Sequence, residues 1–196
     1  MRRSGLMCVL MISLLLSACA AAGEMEPQER ALAIRRQYLE HTGCTARMDV
    51  TADYGQRVYT YTVDVSVAGE EMTLTVAAPQ ELAGIRAHVD ETGSRLEYDG
   101  AVLETGELDR DGLTPLSAVP ALLDSARSGF MDSCTTEELD GQMTLRVLCR
   151  DPERPAGQGR ETTLWFDGTS GALVRGEIAV DGYRVIRCEF LQFILT

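Results

Sequence analysis

The sequence predicts a mainly β (α+β) fold: a curled antiparallel sheet of about eleven strands forming an incomplete barrel around an N-terminal helix and a helical plug. Three observations lead there. From Cys44 to the C terminus, short segments alternate apolar and polar residues, so each is apolar on one face only. Glycine-bearing turns, several of them Asp-Gly, separate these segments. Only two stretches carry helical spacing. That is too little helix to cover a flat sheet of this width, and long sheets of this kind curl.

The elements follow in order. Pro27 to His41 reads as a helix: Pro27 tolerates its missing N–H at the start, Ala31, Ile34 and Tyr38 make an apolar stripe with Leu32 and Leu39 beside it, and Gly43 is the stop. The period then changes to two. Cys44, Ala46, Met48, Val50, Ala52 and Tyr54 share one face, as do Tyr59, Tyr61, Val63, Val65 and Val67, and then Met72, Leu74 and Val76. Shorter strands follow in IRAHVDE, SRLEYDG and AVLETGE. DGLTPLSAVPALLDSARSG interrupts them as a helical insertion, with Thr114 as N-cap, Pro115 at the first position and Pro120 expected to kink or split it. Two strands flanking Asp140-Gly141, a charged loop over 150–160, and three strands with turns at Asp167-Gly168 and Asp181-Gly182 complete the chain.

The first residues carry an address. Met1-Arg2-Arg3 is cationic, and Gly5 to Leu16 is an apolar run of about a dozen residues, right for a secretory leader and too short to span a bilayer. Leu16-Ser17-Ala18-Cys19 resembles the bacterial lipobox, whose cysteine takes a diacylglyceryl group and becomes the first residue of the mature chain. The alternative is an ordinary signal peptide cut near Ala20–Ala22. The organisation expected is therefore a lipoprotein signal peptide at 1–18, a lipidated tether at 19–26, and one domain at 27–196 held by Cys19 at the extracytoplasmic face of the cell membrane.

Composition narrows the function. The formal charge is −12, and loss of Arg2 and Arg3 with the leader makes it −14. Such a surface repels nucleic acid. The chain has no lysine, which excludes a Lys nucleophile or Schiff base. His41 at a helix end and His88 on a solvent face have no HxH, HExxH or cysteine partner, so neither reads as a metal ligand or general base. Asp109-Arg110-Asp111-Gly112 lacks the remaining ligands of a calcium loop and reads as a solvated turn. Neither a G-x-S-x-G motif nor a P-loop is present. We expect no enzyme, no cofactor and no metal.

The order of elements, and above all TTLWFDGTSGALVRGEIAVDGYRVIRCEF, resembles the LolA/LolB-like lipoprotein-carrier superfamily: Leu164 to Asp167, Leu173 to Glu177, and Glu189-Phe190 match its closing strands. The resemblance implies a LolA-like half-barrel. With the lipobox, acidity and size it extends to the clostridial GerS-type germination lipoproteins. It implies two functional expectations. One is binding of an acyl chain or acylated protein in the concavity, which the apolar strand faces would line with Met48, Val50, Tyr59, Tyr61, Val63, Met72, Leu74, Met143, Leu145 and Phe190, with Leu116, Val119 and Leu123 opposite, the alternative being that these side chains simply fill the core. The other is a non-catalytic adaptor that binds an exported protein, such as a spore-cortex hydrolase, through the outer surface.

Besides Cys8 and Cys19, the chain holds Cys44, Cys134, Cys149 and Cys188, an even number that favours disulfides in an exported protein. No CxxC is present, and a zinc site would lack paired short spacing. If Gly141-Gln142 is the hairpin turn, Cys134 lies opposite Cys149; if Asp140-Gly141 is the turn, Cys134 lies opposite Val147 and diagonal to Cys149. We expect Cys134–Cys149 and, by elimination, Cys44–Cys188, the alternative being four buried thiols.

Overall fold

The computed structural model describes residues 25–90, 93–106 and 111–196. The leader, Cys19 and most of the tether lie outside them. In chain order the elements are α1 (Pro27–Glu40), β1 (Gly43–Asp53), β2 (Val58–Ala68), β3 (Glu71–Ala78), β4 (Arg86–Asp90), β5 (Gly93–Tyr98), β6 (Ala101–Gly106), α2 (Ala118–Ser128), β7 (Met131–Leu139), β8 (Gln142–Arg150), β9 (Arg160–Asp167), β10 (Leu173–Val180) and β11 (Tyr183–Leu195). All eleven strands form one antiparallel sheet in the order β6-β5-β4-β3-β2-β1-β11-β10-β9-β8-β7. β1 and β11 are neighbours at the middle, so the chain leaves the sheet at one edge, β6, and re-enters at the other, β7. The connection between them must cross a face of the sheet, and the helical plug α2 lies on that connection.

The turns follow their sequences. Asp140-Gly141 and Asp181-Gly182 join their strands with positive φ at both residues, 53° and 84° in the first and 50° and 78° in the second, the mirror-image turn that suits strand twist. The predicted Asp167-Gly168 turn is longer. Asp167 accepts hydrogen bonds from the Thr169 and Ser170 amides and the Ser170 hydroxyl. These bonds pull its carboxyl down to about 2, the Ser170 amide contributing most and partial burial opposing.

Both helices pack on the same half of the sheet, α1 against β7 and β8, α2 against β9 and β10. α1 buries Ala31, Ile34 and Tyr38 as its spacing predicts. Tyr38 stacks on Phe193 at 5.9 Å, meets Phe166 edge-on at 5.5 Å, and donates to the Gly171 carbonyl. The helices close each other's C-terminal ends. Arg35 of α1 donates to the Ala126 and Gly129 carbonyls, while Arg127 of α2 donates to those of Tyr38 and His41. The insertion differs from expectation at its start. Thr114 and Ser117 bond one another in a closed turn, Thr114 Oγ1 to Ser117 Oγ at 2.7 Å, and α2 begins only at Ala118. Pro120 therefore falls in the first turn, where its absent N–H has no helical partner to lose, and it neither kinks nor splits the helix.

Candidate functional site: the concave face of the sheet

Alternation places the apolar side of each strand on the concave face, and register aligns them into cross-strand rows. One row runs Val147, Leu164, Gly176, Cys188, Val50, Tyr61. Gly176 is where the plug rests: a Cβ there would lie 2.6 Å from Leu122 Cδ1 and 2.8 Å from Cδ2. A second row runs through Phe193, Ala46, Val65, Leu74, Ala87, Leu96 and Leu103, one residue from each of β11, β1, β2, β3, β4, β5 and β6. At about 4.8 Å between strands it is roughly 29 Å long. Its middle is buried, Leu96 is half-buried, and Leu103 on the edge strand is 63% exposed.

Most of the residues expected as liners lie on the concave face as part of its packed core. Met48, Val50, Val63, Met72, Leu74, Leu145, Val119 and Leu123 are buried; Tyr61, Leu116 and Phe190 are partly buried against them. Two differ. Met143 is 55% exposed, because it sits one residue inside the β7–β8 hairpin, opposite Glu138, past the reach of the core. Tyr59 is also exposed and belongs to the rim. There Tyr54, Tyr59 and Tyr61 follow one another, the last two nearly parallel with centroids 6.5 Å apart. The Tyr54 hydroxyl donates to the Leu113 carbonyl at 3.0 Å, tying the connection before the plug to the β1–β2 hairpin. Burial pushes the Tyr54 phenol up, the neighbouring tyrosines adding to it. The sequence reading missed Phe193 on this face. Leu191 is an extra residue where β11 pairs with Arg47 and Met48, and this bulge turns Phe193 and Leu195, rather than Gln192 and Ile194, inward.

The disulfide expectation is corrected. All four described cysteines are free thiols. Cys44 lies opposite Leu195, whereas Cys188 lies opposite Val50, six residues further along β1, about 20 Å away at strand spacing and beyond any bridge. Asp140-Gly141 is the turn, so Cys134 pairs with Val147 and is only diagonal to Cys149. The Cys149 thiol points instead to the Ser125 carbonyl, 3.8 Å away. Burial pushes the thiols of Cys44 and Cys149 up to about 11 and that of Cys188 to about 12, so they remain neutral.

The convex face is polar. Among the described residues Trp165 is its one large buried side chain, with the Arg146 and Arg175 guanidiniums 5.7 and 5.9 Å from its ring and its Nε1 donating to Glu137 at 2.6 Å. Arg175 also pairs with Glu189, which Arg187 contacts as well. Partial burial works to raise the Glu189 carboxyl, but these two arginines outweigh it and hold the group low. His88 lies on this face between Thr73 and Glu97, a surface contact. His41 is exposed at the end of α1. A polar cavity of about 520 Å³ lies at the end of α2, among Ser125, Cys149, Arg150, Arg160 and Asp181.

No protein-family model matches the sequence, and no curated protein matches it. Solved structures do match in fold. An uncharacterised conserved protein from Thermus thermophilus is 10% identical, with a TM-score of 0.51 over 86% of this chain and 87% of that one. Weaker matches include the lipoprotein LppX of Mycobacterium tuberculosis, 19% identical with a TM-score of 0.43 over 84% of this chain and 94% of that one. Another is the CwlD amidase of Clostridioides difficile in complex with the GerS lipoprotein, 11% identical with a TM-score of 0.43 over 90% of this chain and 100% of that one. A single open antiparallel sheet of eleven strands, curled over two helices that share one half of its concave face, is a LolA-like half-barrel, and that is the fold of this chain.

Proposed function

We propose that this protein is a lipid-anchored, extracytoplasmic, non-catalytic binding protein that holds an apolar ligand, an acyl chain or an acylated protein, on the concave face of β2 to β6. The observation that carries this reading is the unbroken apolar row from Phe193 to Leu103. The helices pack on β7 to β10. The row lies past them on seven strands, β11, β1 and β2 to β6, and ends at an exposed edge. Its length of roughly 29 Å exceeds the ~15 Å that acyl chains of one leaflet span in a ~30 Å hydrocarbon core. Its aliphatic side chains, and thiols held neutral, offer no acid–base chemistry at neutral pH. Native mass spectrometry of protein purified in its acylated form tests this. A co-purifying lipid is expected, absent from Leu74→Glu and from the better-tolerated Leu96→Glu. Wild-type protein free of lipid, and unable to take up a fluorescent fatty acid, refutes it.

A second reading, an adaptor for an exported protein, is favoured by β6. This strand is exposed along its whole length, Val102 and Leu103 lie 60% and 63% open, and among the described residues it pairs only with β5. An unpaired apolar edge accepts a strand from a partner. A photo-crosslinking residue at position 102 should then capture one envelope protein reproducibly; labelling of lipid alone decides against the adaptor.

A further inference from the structure

The outward side of α1 carries a stripe that its packing leaves bare. Leu32 and Leu39 lie seven residues apart, so they share one side of the helix, turned well away from the buried Ala31, Ile34 and Tyr38, and Met25, two residues before the helix begins, lines the same concavity. Met25, Leu32 and Leu39 are 55%, 52% and 59% exposed. With Arg35, Arg36 and Glu29 they line a shallow concavity of about 550 Å³. The arginines flank the stripe, Arg35 on the side toward α2 and Arg36 on the other. The Arg35 guanidinium is engaged by the Ala126 and Gly129 carbonyls, which leaves Arg36 to keep its stem among apolar groups and its head among phosphates.

Chain length names what meets this stripe. Cys19 is six residues before Met25, and six residues reach at most about 20 Å. If Cys19 carries lipid, the start of α1 never leaves the neighbourhood of the bilayer. A short tether gives effective concentrations in the millimolar range, so even a weak surface contact is populated. The fourteen residues of α1 span about 21 Å at 1.5 Å per residue, long enough for the helix to lie flat in the interface. Elsewhere the protein is strongly acidic, whereas between Pro27 and Glu40 three arginines face two glutamates.

We propose that the Met25-Leu32-Leu39 stripe of α1 docks on the membrane surface, its apolar side chains among the upper acyl carbons. The proposal rests on the lipoprotein reading of Cys19. α1 lies on the concave side of β7 and β8 with its inner side against the sheet, so docking through its outward side turns the open side of the half-barrel toward the bilayer. The apolar row then faces the source of its ligand.

Tryptophan depth decides the matter, using acylated full-length protein in phosphatidylcholine–phosphatidylglycerol vesicles with or without brominated acyl chains. The chain's one tryptophan, Trp165, is buried on the convex face and supplies an unquenched baseline. Leu32→Trp and, separately, Leu39→Trp should each add blue-shifted emission that brominated lipid quenches. Emission from both variants that stays quenched no more than wild type overturns docking. So does a wild-type dimer in vesicles, seen by crosslinking, that Leu32→Asp dissolves, since the stripe then serves a second copy. The mass of the mature N terminus separates this from the underlying reading. Acylated Cys19 together with unquenched indoles at both position 32 and position 39 defeats docking alone. An unacylated Cys19 defeats both.

Discussion

Gly176→Ala is expected to destabilise the protein by pushing the plug off the sheet. Gly176 faces the concave side at the middle of β10, and its missing side chain is the space that Leu122 occupies. The added methyl would lie 2.6 and 2.8 Å from the Leu122 methyl carbons, about 1 Å inside the 3.5–4.0 Å optimum for carbon pairs. Leu122 is fully buried and cannot swing clear. Overpacking of this kind costs about 1–3 kcal/mol. Replacing a strand glycine returns about 0.5–1 kcal/mol. The net loss is about 1–2 kcal/mol, or roughly 2–8 °C in Tm for a domain of this size. Leu122→Ala alone should cost about 2–5 kcal/mol. In the double variant the shortened side chain at position 122 leaves room for the new methyl at position 176, so urea titration should show a loss smaller than the sum by about 1 kcal/mol or more. A neutral or stabilising Gly176→Ala, or strict additivity with Leu122→Ala, refutes the placement of α2 on β10.

Three further outcomes follow from side chains already placed. Asp167 ionises in the folded protein near 2, below the ~3.9 of an open chain, so the stabilisation it gives is complete above about pH 4 and is lost as pH falls through 2. Asp167→Asn should lower stability at neutral pH by on the order of 1–2 kcal/mol and flatten the acid limb of the Tm–pH profile. The thiols have the opposite sign: their folded values lie above the ~8.5 of an exposed cysteine, so their contribution is whole below that pH and disappears as pH rises through 11 to 12. Without reductant, iodoacetamide should label Cys44, Cys134, Cys149 and Cys188 in denaturant and spare them in the native state at pH 8; any linked pair in a peptide map counts against the structure. Glu137→Ala strips the Trp165 N–H of its acceptor and should cost about 1–3 kcal/mol and red-shift tryptophan emission.

Strand parity was legible in the sequence because the side-chain period is two, so Met48, Val50, Val63 and Leu74 could be assigned to one face from spacing alone. Register was not, because it depends on bulges that no local pattern marks. The extra residue at Leu191 reassigns the inward positions of FLQFIL, and the two hairpin registers around Asp140-Gly141-Gln142 differ in whether Cys134 meets Cys149. Both cysteine pairs failed at that step: parity put the thiols on the same face, and register kept them apart. Pro120 failed differently, since the rule was right and the helix start was misplaced by three residues. Met143 had the right parity and lay too near the hairpin to be covered.

The topology explains why the helices cover one half of the concave face and not the other. Residues 107–130 must carry the chain from the β6 edge to the β7 edge, which lie at opposite ends of an eleven-stranded order. Such a connection cannot stay in the sheet. Crossing the convex face would leave the concave apolar rows without a partner and lay α2 over ion pairs, so the concave side is the one that lowers free energy. Its path is then fixed at three points. Tyr54 holds the Leu113 carbonyl, buried Gly112 lies against Ala121 and Ile178 with no space for a side chain, and Leu122 seats on Gly176. The first ties the connection to the β1–β2 hairpin, the other two seat the plug on β10, and Arg35 and the Tyr38 carbonyl of α1 complete the clamp. An eleven-residue helix held there reaches β9 and β10. The rows of β2 to β6 extend beyond it, so the same constraint that plugs one half of the sheet leaves the other half without a helix.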